Sequence, residues 1–98
     1  MDVPSTIGKR VSMKLRGQIE RGIVVDEIWL PHIPENSPKE YLKGVQKVEF
    51  SDSRFEYRFG YYERDKGSKS WRWGQYAMFL PEGLIKELIQ KMKEKGWL

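Results

Sequence analysis

The chain has no cysteine and a single histidine, His32. The first absence excludes disulfide staples, thiolate metal ligands and cysteine nucleophiles, and fits a reducing interior. The second leaves too few nitrogen ligands for a structural or catalytic zinc site. Apolar runs stay well short of the roughly 18 residues that cross a bilayer. Met1-Asp2-Val3-Pro4-Ser5-Thr6 has neither the basic start nor the apolar core of a secretory leader. Glycines are scattered, with Gly60, Gly67 and Gly74 each isolated, so no glycine-rich phosphate loop is formed. The expectation is a cytoplasmic protein with no membrane segment, metal or cofactor.

Catalytic constellations are equally thin. His32 lies between Pro31 and Ile33 with no Ser or Cys nearby to make it a general base. Asp26, Glu27 and Glu20 could in principle hold Mg²⁺, but neighbouring strand residues point to opposite faces and solvated charge explains them better. Asp52, Glu56 and Arg58 form a poor nuclease pattern, with Arg where Lys is wanted and a tight turn in between. The chain is therefore expected not to be an enzyme, a small metal-dependent nuclease being the remaining catalytic alternative.

At 98 residues the chain fits one domain, residues 1–98. Only 39% of it is hydrophobic while 13% is aromatic, so its core must rest on a few large rings. The formal net charge is +4, and residues 50–98 supply most of the excess. That balance favours anionic partners. High Lys and Glu usage without Cys also resembles thermophilic compositions.

Ile7, Val11, Met13 and Leu15 alternate with Arg10, Ser12, Lys14 and Arg16, the period of a half-buried strand with a basic outer face. A second strand is expected from Arg21 to Leu30. Pro31, Pro34 and Pro38 should then break the sheet. Ser37-Pro38-Lys39-Glu40 has a cap serine, a proline at the first helical position and a glutamate three residues after the cap, which predicts a short helix over 37–44. Strands follow at Val45–Phe50, Arg54–Arg64 and Ser70–Leu80, joined by turns at Ser51-Asp52-Ser53 and Asp65–Lys69. Leu84, Ile85, Leu88, Ile89 and Met92 recur at helical spacing after Pro81, and Gly96 ends that helix. The fold class is α+β: a twisted antiparallel β-sheet of about five strands packed against a C-terminal amphipathic α-helix, with a short helix in the 37–44 connection.

Residues 54–76 concentrate the rings: Phe55, Tyr57, Phe59, Tyr61, Tyr62, Trp71, Trp73 and Tyr76, among six basic side chains and three acidic ones. Strand periodicity puts Phe55, Tyr57, Phe59 and Tyr61 on one face, read as core, and Glu56, Arg58, Tyr62 and Arg64 on the other. One helix covers one face of a sheet, so rings on the reverse must meet solvent, a subunit or a ligand. Single-stranded DNA or RNA fits, because bases stack on exposed rings while Arg and Lys neutralise phosphates. The expected binding residues are Arg58, Tyr62, Arg64, Arg72 and Tyr76, extended by Arg10, Lys14 and Arg16 if their strand is adjacent. Gly60 and Gly74 would let a nucleic-acid backbone approach closely. Ordinary strand packing accounts for the same rings, and a homodimer or protein-partner interface is a further alternative.

In element order, residues 45–95, with ring-rich strands followed by Leu80-Pro81 and a helix, resemble the strands-then-helix units of Pur-alpha and Whirly type single-strand binders. The resemblance implies an aromatic and basic sheet surface against nucleic acid, and dimerisation. The stretch from Ile7-Gly8-Lys9-Arg10-Val11 to Gly22-Ile23-Val24-Val25 equally fits a small SH3-like barrel, which leaves a curved sheet and a partial barrel both open.

Overall fold

A computed structural model describes residues 4–98. The leader reading at Met1–Val3 and the side chain of Leu15 lie outside the described residues. Five strands, β1 (Arg10–Leu15), β2 (Gln18–His32), β3 (Lys39–Phe50), β4 (Phe55–Asp65) and β5 (Arg72–Trp73), pair in sequence order as one antiparallel meander, and α1 (Glu82–Glu94) follows. The α+β reading, with a curled sheet and a C-terminal helix, is what the chain forms.

Local chemistry explains the joints. Arg16 and Gly17 both adopt positive φ, 52° and 79°, the geometry of the two-residue hairpin turn that glycine favours. The β3–β4 turn closes through Phe50 N–H to Arg54 O, while the Asp52 carboxylate accepts from Arg54 N–H. At the C-terminal end of α1, Gly96 at φ 76° donates to Lys93 O and Trp97 to Met92 O, which ends the helix.

The short helix expected at 37–44 is not formed. Those residues open β3, pairing with β2 on one side (Tyr41 with His32) and β4 on the other (Lys39 with Asp65). The Ser37 hydroxyl accepts from Lys39 N–H, a local turn bond that a helix cap shares, and Glu40 turns to Arg64 instead of reaching back to the cap. Two flanking ladders supply more hydrogen bonds than one or two helical turns could. Pro31 likewise stays inside β2, opposite Leu42. β1 pairs with β2 only over Gln18–Ile23, so Pro31 sits where the outer edge of β2 asks for no ladder bond. The strand expected over Ser70–Leu80 shrinks to Arg72–Trp73, because Gly74 N–H bonds Tyr61 O and the chain then crosses the sheet irregularly towards α1.

Register shifts between Val24 and Asp26, where Val25 is the extra residue of a β-bulge. Before it, Val24 faces the same side as Val48; after it, Ile28 and Leu30 face the other. Two cores result. On the helix face, Ile28, Leu30 and Val45 pack against Leu88 and Met92 of α1, with Leu80, Leu84 and Trp97 around them. On the inner face, towards which the sheet curls, Val24, Val48 and Phe50 are met by Val11 and Met13 of β1.

Candidate nucleic-acid interface

Alternation along β4 sends Glu56, Arg58, Tyr62 and Arg64 to the inner face, as the sequence predicts, but that face is already occupied. Tyr62 stands 5.1 Å from the Trp29 ring and 5.1 Å from Trp73, both edge-on. Trp73 lies on the backbone of Gly60, where a Cβ would come within 2.5 Å of its ring. Gly74 in turn lies against the Tyr61 ring. The two glycines expected to admit a ligand backbone thus admit the protein's own rings.

The cations there are held too. Arg58 donates from Nε to Gln46 Oε1 at 2.7 Å and sets its guanidinium 4.6 Å from the Trp73 centroid. Arg64 pairs with Glu40 at 3.0 Å and lies 4.2 Å over Trp71, with side chains only 14% and 16% exposed for Arg64 and Glu40. Beneath them runs a polar seam. Gln46 Nε2 donates to the Thr6 hydroxyl, which donates to Glu27; Thr6 N–H and Trp29 Nε1 donate to Glu27 as well. Burial works against the Glu27 charge, yet the Thr6 hydroxyl, the Thr6 N–H and the Trp29 indole outweigh it and hold its pKa below the ordinary carboxylate value. Burial pushes the Tyr62 hydroxyl pKa up, which the nearby Arg58 charge only partly opposes.

The helix face differs. α1 covers Ile28, Leu30 and Val45, and the strap before it covers the far end, where Lys43 Nζ donates to Phe79 O at 2.6 Å and stands over the Tyr41 ring. Burial lowers the Lys43 pKa. His32, beside Tyr41, has its pKa lowered by burial and then by the Lys43 charge.

The rest of this face is bare. Phe55, Tyr57 and Phe59, expected in the core, are 46%, 37% and 53% exposed; of that row only Tyr61 is buried. Register carries the row across the sheet, from Phe55 to Glu49, Ile23 and Arg10, and from Tyr57 to Lys47 and Asp26. Arg10, Ser12, Lys14, Arg21 and Ile23 are all exposed here. Lys47 stands 4.4 Å from the Phe55 centroid, Asp26 is neutralised by Lys95 at 3.1 Å, and Trp97 packs 5.3 Å from Tyr57. Three rings in line and four cations, with Glu49 among them, make an aromatic and basic surface on the side the sequence assigns to packing.

The expected binding residues therefore divide. Arg58, Tyr62 and Arg64 gather on the inner face. Arg10 and Lys14 point to the helix face, with β2 and β3 separating β1 from β4. Arg16 is in the first turn, Arg72 is exposed on β5, and Tyr76, 84% exposed, lies on the strap with its N–H on the Tyr61 hydroxyl. Phe55, Tyr57, Phe59, Arg21 and Lys47, which lie on the open part of the helix face, are not among them. Their alternation was visible, but which face the helix leaves open was not.

Among the described residues no group of three His, Asp or Glu is placed to hold a metal ion, and no helix is long and apolar enough to cross a membrane. Comparison with protein-family models, characterised proteins and solved structures finds no match to the chain.

Proposed function

We propose that this protein is a non-catalytic, cytoplasmic module that binds single-stranded DNA or RNA with little sequence preference. The surface is the half of the helix face that α1 leaves bare. The observation that carries the reading is the exposed row of Phe55, Tyr57 and Phe59 on the same face of the sheet as Arg10, Lys14, Arg21 and Lys47. Alternate residues on a strand stand roughly 6.6–6.8 Å apart, room for one unstacked base against each ring. The cations on β1, β2 and β3 would take the phosphates, releasing counterions as they do so. The inner-face residues Arg58, Tyr62 and Arg64 act in this reading as structural supports of the platform.

Titration with a mixed-sequence oligonucleotide tests it. Binding should quench tryptophan fluorescence, since Trp97 touches Tyr57, and should weaken steeply as salt rises. Absence of binding at low salt would overturn the reading.

A further inference from the structure

Strand β4 has a free outer edge. β5 pairs only with Tyr62 and Glu63, so among the described residues Phe55–Gly60 pair with no strand on that side, and Val11, Ser12 and Met13 of β1 share a cleft with Glu56, Tyr57 and Arg58. The direction of the backbone groups follows from the neighbouring bonds. Arg54 O and Lys66 N bond towards β3, whereas Tyr61 O accepts from Gly74 on the outer side. Even-numbered residues therefore serve β3, and Phe55, Tyr57 and Phe59 present N–H and C=O outwards.

Phe55-Glu56-Tyr57-Arg58-Phe59 reads the same in both directions except that its charge is inverted. We propose that β4 pairs antiparallel with β4 of a second copy of this chain, on a two-fold axis at Tyr57. In that register Tyr57 meets its own equivalent as a hydrogen-bonded pair, and Phe55 meets Phe59 of the second copy. Glu56 meets Arg58 of the second copy at the closer, non-hydrogen-bonded positions, and the reverse pair repeats it. A shift of the axis by one residue sets Arg58 against Arg58, or Glu56 against Glu56. Charge thus disfavours both neighbouring registers.

The segment has no proline, no lysine and no bulge, and the charges it does expose, Glu56 and Arg58, are the two that this register pairs. Because the same segment is used by both copies, the contact closes at two chains and leaves no β4 edge for a third. The two rows of rings then lie side by side on one continuous sheet. This inference does not depend on nucleic-acid binding.

Sedimentation equilibrium of the full chain without nucleic acid tests it. The expected mass is twice 11.7 kDa. Glu56→Arg and Arg58→Glu should each weaken association roughly tenfold, because each places like charges opposite at both symmetry-related positions. The double exchange should restore it, and mixing the two single variants should yield a one-to-one heterodimer. Since Arg58 also bonds Gln46, circular dichroism checks the fold of each variant. Tyr57→Lys, which leaves that bond intact, is a second way to separate the copies. A wild-type monomer up to the millimolar range, or a dimer indifferent to all of these changes, overturns the proposal.

Discussion

The two faces of the sheet carry similar residues and treat them oppositely. On the inner face each arginine of β4 has a ring beneath it and an oxygen beside it: Arg58 has Trp73 and Gln46, Arg64 has Trp71 and Glu40. On the helix face Arg10, Lys14 and Arg21 stand exposed, and Phe55, Tyr57 and Phe59 project past the end of the helical cover. Composition alone cannot distinguish a satisfied cation from an available one. Neighbours do.

If the inner face is structural, the largest loss of stability should come from disturbing it. Gly60→Ala would put a methyl into the Trp73 ring and should cost about 1–3 kcal/mol, read as a lowered urea midpoint. Thr6→Val removes the hydroxyl between Gln46 and Glu27 and should cost a similar amount, about 1–3 kcal/mol. The helix face should respond the other way. Phe59→Ala should change stability by only about 0.5 kcal/mol, while weakening oligonucleotide binding by about 1–3 kcal/mol in a fluorescence titration. A large unfolding effect with unchanged binding would invert the assignment of the two faces. A finer comparison is Arg21→Ala against Arg64→Ala: the first should lower the salt slope of binding by about 1, the second should leave it unaltered.

Acid should act through half-buried groups on both sides. His32 and Glu27 both have folded pKa values below their ordinary ones of 6.5 and 4.5. The unfolded chain therefore binds protons more readily at each. The contribution of His32 is complete above pH 6.5 and is lost as pH falls through its folded value; that of Glu27 is complete above 4.5 and is lost below it. Urea midpoints across an acid series should fall in two stages, and Thr6→Val should shrink the second.

The elements with purely local causes were legible in the sequence. The stripe of Leu84, Leu88 and Met92 and the terminating Gly96 define α1, and the turn at Ser51-Asp52-Ser53 joins two antiparallel strands, whereas β2 starts at Gln18, three residues ahead of the expected Arg21. What failed depended on distant partners. Ser37-Pro38-Lys39-Glu40 carries a genuine capping signal, overridden because Leu42, fully buried, packs between two flanking strands. Phe55, Tyr57 and Phe59 were placed on the correct side of their strand, yet that side is covered only where α1, the strap before it and Trp97 reach. The extent of that cover is set by the path of residues 74–81, where irregular backbone replaces the strand that alternation implied.

Val25 shows how much can hang on a single unpaired position. Side chains on a strand keep strict phase, so β2 would otherwise serve one hydrophobic layer along its whole length. The inserted residue resets that phase midway, and a single fifteen-residue strand becomes the shared wall of two separate interiors. An unbulged β2 would deliver Trp29 to the helix and Ile28 to the ring cluster, leaving both compartments with the wrong contents. The division between a sealed side and an open one is thus written at the point where the chain miscounts by one.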